Sequence, residues 1–426
     1  MDIKIQGGVK IAGEITPSGS KNSTVALIPA SILFEKSLKL TNVPDITDVN
    51  ILLEIINALN GKVDWDKEKN TISIDNSKLK YKKLGGKNIE SIRGSSLFWG
   101  PLLAQFGKVE FDELPGGCTL GTRSLQPHFE AFAQMNISIE KKSGGIVMDA
   151  KNIKSGTIWL SEMSPTVTEN VLMLASKLEG ITKIIGAASE PHVQDLCLLL
   201  IKGGCKIKGI GSSVLEITGK KSFFSNVTHP IISDHYEIGT FLAIASITKG
   251  TIKVHKALPE YFDHINYIFK KFGVDIKYQQ DTAFLNGSYK NIPSFEKTTV
   301  VKAQPWPGLP VDMLPLFIPL AINMKKSSFL FHNWMYERGL YWVEQLEKLG
   351  AKITICDPHR VIITGENKLS GTTITAPYII RAVIAMVMVG LIADGETVIQ
   401  NADAISRGHP NFIENLNRLG AKITAI

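Results

Sequence analysis

The segments LEKLGAKITI (346–355) and LNRLGAKITA (416–425) carry the same pattern twice. Each is the end of an amphipathic helix, then a glycine stop, then an alternating strand. Looser copies lie upstream: INALNGKV (56–63), FAQMNISI (132–139), LIKGGCKI (200–207) and FKKFGVDI (269–276). The stop positions are Asn60, Asn136, Gly204, Gly273, Gly350 and Gly420, at intervals of 76, 68, 69, 77 and 70 residues. Glycine enters the left-handed conformation of a helix stop without steric cost, and asparagine is the next best residue there.

A strand running into a loop precedes every copy: SLKLTNVPDITD, GKVEFDELPGG, ITKIIGAASEP, GTIKVHKALPE, SSFLFHNWMYE and ETVIQNADAIS. The repeating unit is therefore strand, loop, helix, turn and strands, about 70 residues long. Six such units nearly consume the 426 residues. Length alone predicts two or three domains. The repeats sharpen this to an α/β chain of six units, three on each side of an aperiodic stretch at 220–233 that reads as a linker. Spacing does not say whether the six form one ring or two three-fold bodies.

Composition narrows the class. Hydrophobic residues make up 44% and charged residues 20%, ordinary globular usage that excludes a disordered chain, a collagen or a coiled coil. Four cysteines without a CxxC pair give neither a disulfide framework nor that zinc or redox motif, and fit a reducing cytoplasm. The opening MDIKIQGGVKIAGEI alternates like a strand and lacks the apolar block of a signal peptide. The longest apolar run, 382–393, has twelve residues against roughly 20 needed to span a bilayer, and reads as a buried helix. The net charge of +7 without a basic tail argues against a nucleic-acid partner and for an anionic small molecule. Of 47 basic residues, only seven are arginine. Where lysine is the default cation, a placed arginine needs a reason.

Several residues could carry chemistry. Lys21 sits in SGSKNS between a strand and an apolar helix, which suits either an anion site or an ordinary serine-capped helix. Cys118 lies in LPGGCTLGTR, a loop without apolar periodicity. It reads as a proton donor or nucleophile, or as a passive loop thiol, whereas Cys197, Cys205 and Cys356 read as structural. Arg93, Arg123, Arg338, Arg381 and Arg407 fall in repeat loops or at helix starts, where a guanidinium fork can grip phosphate or carboxylate. Arg360 and Arg418 suit surface pairing. Asp312, in PWPGLPVDM, is either a helix cap or a general base at a loop–helix junction. Glu190, Asp234 and Glu237 carry the same two readings.

The motifs SGSKN, SIRGS, LPGGCTLGTR, SPTVTEN, SEPHVQD, SDHYEIGTF, LPVDM, IIRA and SRG occur in this order. Together they resemble the UDP-N-acetylglucosamine 1-carboxyvinyltransferase family, the enolpyruvyl transferases of peptidoglycan synthesis. The resemblance runs over nearly the whole chain. The Cys118 loop is its most specific element, because the sister shikimate-pathway family lacks it. The resemblance implies two similar domains, each of three repeated β-α-β units in an inside-out α/β barrel. Residues 1–20 would join 232–426, residues 21–231 would form the other domain, and the substrates would bind in the cleft between them.

The implied reaction is addition of an acceptor hydroxyl to C2 of phosphoenolpyruvate, then loss of phosphate. By resemblance, Lys21, Arg123 and Arg407 hold the phosphate end of phosphoenolpyruvate and Arg381 its carboxylate, Asn22 also binds this substrate, and Lys21 is catalytic beside Cys118 and Asp312. Asp312 takes the acceptor proton, and Cys118 donates a proton or aids product release. Asn22 and Glu190 lie close to the reacting centre. Arg93, Arg123, Ser124, Leu125, Gln126, Pro127, Ser164, Asp312 and Met335 match positions that hold the nucleotide sugar. The partners implied are phosphoenolpyruvate and UDP-N-acetylglucosamine; no metal, organic cofactor, nucleic acid or membrane is implied. Four positions depart from the family pattern. Gln126 replaces an aspartate that helps read uracil, and Glu162 replaces a lysine. Gly339 falls within a segment usually E-N-R-F, and Ile379 replaces an aspartate two residues before Arg381.

Overall fold

A computed structural model describes residues 1–116, 124–287, 298–325, 327–336 and 339–426. All six predicted stop residues adopt positive φ: 69° at Asn60, 61° at Asn136, 109° at Gly204, 71° at Gly273, 98° at Gly350 and 102° at Gly420. The left-handed residue ends one helix and reverses the chain into the next strand, so one local signal is used six times.

Among the described residues, each repeat contributes to one of six small sheets that share a single pattern. Ser328–His332 shows it: Thr299–Lys302 runs parallel on one side, Arg360–Thr364 antiparallel on the other, and Lys352–Asp357 pairs antiparallel beyond that. The sheets built on Leu38–Thr41, Ile181–Ile185, Thr251–Val254 and Glu396–Gln400 repeat this order. In the sixth, Lys108–Phe111 keeps its antiparallel neighbour Ile146–Asp149, while the parallel strand is reduced to a single bridge from Leu84 to Phe111.

Closure uses strands distant in sequence. Ile3–Gln6 pairs antiparallel with both Glu396–Gln400 and Ile423–Ala425. Ala12–Ile15 runs parallel to Thr251–Val254. The 220–233 stretch is not simply a linker, because Val227–Pro230 is a strand parallel to Leu38–Thr41. Its short THP run has no periodicity to reveal it; long-range pairing makes it a strand.

The chain divides into two compact units, one of Met1–Ser18 with Ser233–Ile426, the other of the described residues between Gly19 and Ile232. Each has its own apolar core. In the first, the helices His235–Ile247, Leu314–Asn323 and Ile380–Ile392 are almost entirely buried. Their sequences are largely apolar all round, as a helix enclosed by others requires, and His235–Ile247 also buries His235, Glu237, Thr240 and Ser246. In the second, Lys21–Ala30, Trp99–Phe106 and Pro165–Ala175 fill the equivalent place. Fully buried Asn170 locks two of these together. It accepts the Gly100 N–H at 2.7 Å and donates to the carbonyls of Ser96 and Thr166. A Cβ at Gly100 would stand 2.3 Å from the Asn170 carbonyl oxygen, so glycine is needed for this approach. Among the described residues, no helix is long and apolar enough to cross a membrane.

Candidate active site

In the Gly19–Ile232 unit, Lys21 opens the helix Lys21–Ala30, and Ser20 caps it by accepting the Ser23 N–H at 3.3 Å. The serine-cap reading of this segment is what the structure shows, with the lysine a separate charged group in the first turn. Lys21 Nζ lies 2.8 Å from Asp48 Oδ2. Asn22 is half-buried beside it. Arg93 donates to the Ser124 carbonyl at 2.8 Å, and the Ser124 hydroxyl accepts the Gln126 N–H at 3.0 Å. These bonds shape the entry to the helix Gln126–Gln134, with Ser124 and Gln126 exposed and Leu125 and Pro127 half-buried. Behind them His128 is buried; burial, then the Arg93 charge, pushes its imidazole down to about 3, so it stays neutral. Ser164 sits at the start of Pro165–Ala175 without capping it.

Glu190 precedes the helix Pro191–Gly203 and also makes no side-chain cap. Burial pushes its carboxyl up to about 7, so it can hold or release a proton near neutrality. Glu169, buried nearby, is raised by burial and by the Glu190 charge. The His192 Nε2 lies 3.9 Å from Glu169 Oε1.

In the other unit, the turn before the helix Leu314–Asn323 bears on the cap reading of Asp312. Met313 holds the cap position and makes no side-chain cap bond. Asp312 is therefore not the cap, and it is half-buried. Asp234 resolves the opposite way: it caps His235–Ile247 by accepting the N–H groups of Tyr236 and Glu237 at 2.8 and 3.0 Å. Arg381 lies in the first turn of Ile380–Ile392. Its guanidinium stands 4.7 Å from the Tyr236 ring centroid and donates from Nη1 to His409 Nε2 at 2.6 Å. Arg407, half-buried at the end of the short helix Ala402–Arg407, lies 5.4 Å over the Tyr378 ring. Met335 is partly exposed, its N–H donating to Asn333 Oδ1 at 3.2 Å.

Glu237 accepts the Ser18 N–H at 2.8 Å and also its hydroxyl. Burial pushes this carboxyl from 4.5 up to about 7. Between those values the folded chain holds a proton that the unfolded chain has lost, so stability falls as pH rises through this window. Glu237→Gln mimics the protonated acid. Urea melts should show the wild type losing about 3 kcal/mol relative to Glu237→Gln between about pH 5 and about pH 8. Parallel pH curves for the two proteins would contradict the assignment.

Cys118, Arg123 and Arg338 lie outside the described residues. Cys197 and Cys205 are buried, and burial pushes their thiols up to about 12 and about 11, as structural cysteines. Cys356, by contrast, lies exposed within the strand Lys352–Asp357 and is not a buried structural thiol. Arg360 bonds Asp357, whereas Arg418 reaches the Asn415 amide rather than a carboxylate. Two departures from the family pattern have a local reason. A Cβ on Gly339 would meet Asn333 Nδ2 at 2.1 Å, so a side chain there would have to displace the Asn333 amide. Ile379 packs against the apolar core instead of capping Ile380–Ile392. Sequence reasoning missed Asp48, Glu169, Tyr236 and His409, although Asp48 ends the quoted strand–loop element and His409 follows the SRG motif directly.

A family model described as EPSP synthase (3-phosphoshikimate 1-carboxyvinyltransferase) matches residues 5–416. The protein named UDP-N-acetylglucosamine 1-carboxyvinyltransferase in Treponema denticola is 36% identical over 98% of this chain and 98% of its own length. Its namesakes are 33% identical in Borreliella burgdorferi, over 99% and 98%, and 34% in Bradyrhizobium diazoefficiens, over 99% and 97%. The chain belongs to the UDP-N-acetylglucosamine 1-carboxyvinyltransferase family. The enolpyruvyl transferase NikO from Streptomyces tendae superposes with a TM-score of 0.87 at 19% identity, covering 99% of this chain and 98% of that one. EPSP synthase from Acinetobacter baumannii gives 0.76 at 17% identity, with full coverage of both. The enolpyruvyl transferase fold is thus kept at low identity, and membership in the carboxyvinyltransferases makes this chain a transferase.

Proposed function

We propose that this chain transfers the enolpyruvyl group of phosphoenolpyruvate to the 3-hydroxyl of UDP-N-acetylglucosamine, releasing phosphate at the entry to peptidoglycan synthesis in the cytoplasm. The near full-length identity to carboxyvinyltransferases that carry this acceptor in their name supports the reading most strongly. In the first step the acceptor oxygen bonds to C2 while C3 gains a proton. In the second, C3 loses a proton and the C2–O bond to phosphate breaks, restoring the double bond. Asp312 takes the acceptor proton, and Cys118 gives a proton or assists product release. Lys21, Asn22, Arg123 and Arg407 hold the phosphate, and Arg381 the carboxylate, so cations stand where charge develops. Arg93, Arg123, Ser124, Leu125, Gln126, Pro127, Ser164 and Met335 hold the nucleotide sugar.

Purified protein should release phosphate from phosphoenolpyruvate in the presence of UDP-N-acetylglucosamine. It should release none with 3-phosphoshikimate in its place. Release with the second acceptor alone, or with neither, would overturn the reading.

A further inference from the structure

Arg381 occupies an unusual electrostatic position. It stands in the first turn of Ile380–Ile392, where the helix dipole repels a cation. Among the described residues, no carboxylate forms an ion pair with it. Two residues earlier, Ile379 packs against the core. The guanidinium nevertheless has a fixed partner. Its Nη1 donates to His409 Nε2 at 2.6 Å, and His409 is 1% exposed. Arginine can only donate, so Nε2 must accept, which requires a neutral imidazole with its proton on Nδ1. The imidazole is itself held by the His409 N–H, which donates to the Ile405 carbonyl at 3.0 Å, and by the Phe412 ring at 5.5 Å. The Tyr236 ring covers the guanidinium on another side.

We propose that His409 is the positioning residue for Arg381. It aims the guanidinium with a neutral acceptor, so that the cation's charge stays available to the carboxylate of phosphoenolpyruvate. An aspartate in this role would fix the guanidinium equally well but neutralise it. The inference rests on the reading of Arg381 as the carboxylate-binding group.

His409→Phe keeps a flat ring and removes the acceptor; His409→Gln keeps an acceptor on a flexible stem. For His409→Phe the KM for phosphoenolpyruvate should rise roughly ten- to a hundredfold, with the KM for UDP-N-acetylglucosamine unchanged. His409→Gln should recover much of the loss. Adding His409→Phe to Arg381→Ala should cost nothing further, because the histidine acts only through the arginine. An unchanged KM in His409→Phe, or an equal further loss in the Arg381→Ala background, overturns the proposal. Should His409→Phe fail to fold, His409→Gln against His409→Leu makes the same comparison. Wild-type protein that binds phosphoenolpyruvate without turnover sinks the acceptor reading alone, and the comparison then runs on direct binding of phosphoenolpyruvate. Wild type that neither binds it nor turns over sinks both.

Discussion

Asp312→Asn should lower phosphate release by about a hundred- to ten-thousandfold, while leaving thermal unfolding within about half a kcal/mol of wild type. The two halves of this expectation come from the same turn. Backbone bonds fix it: the Gln304 N–H donates to the Leu309 carbonyl at 2.8 Å, Gly308 to Pro305 at 2.8 Å, and Met313 to Pro310 at 2.9 Å. The Asp312 side chain takes no part. It does not cap the following helix, and among the described residues it makes no hydrogen bond or ion pair. An acid held in place by its backbone, with no described side-chain partner, is what a general base requires. Asparagine keeps the volume and removes the basicity. Steady-state phosphate release and a melting curve on the same preparation check both halves. Retained turnover removes Asp312 from the mechanism. Lost turnover accompanied by a large drop in stability makes it a structural residue.

The fold was legible because its signal is local and repeated. A left-handed stop at Asn60 depends on its own helix end and not on distant partners, and five further copies of the stop leave little room for accident. What stayed hidden depends on long-range pairing. Val227–Pro230 becomes a strand only because Leu38–Thr41 lies beside it, and Leu84 bridges Phe111 with no strand signature of its own. The site divides in the same way. Asp312 could be singled out from the Pro- and Gly-rich approach, but only the cap geometry shows that it is not the helix cap. His409 carries no such mark. Its bond to Arg381 spans 28 residues, and a histidine after SRG reads as a loop residue until the two are placed together.

Lys21→Ala should lower turnover by about a hundred- to a thousandfold, the usual cost of removing a single cationic or donor group from developing charge. The complication is Asp48, whose Oδ2 lies 2.8 Å from Nζ. A lysine paired with a carboxylate is a weaker anion site than a bare one, and its removal also disturbs a largely buried carboxylate. A simple loss of activity would therefore not separate phosphate binding from local structure. The Asp48→Asn background does separate them. There the carboxylate charge is gone, so a lysine that serves only to neutralise Asp48 has no remaining task, and adding Lys21→Ala should cost nothing further. A lysine that holds phosphate, at the first turn of a Ser20-capped helix whose N-terminus also favours anions, is needed in either background. The phosphate reading thus expects the KM for phosphoenolpyruvate to rise on removing Lys21 whether or not Asp48 is charged. It also expects Asp48→Asn alone to lower that KM, because the Asp48 charge no longer offsets the ammonium's attraction for phosphate. Kinetics of the two single variants and the double variant decide the matter, and a Lys21→Ala effect that disappears in the Asp48→Asn background assigns the lysine to the fold.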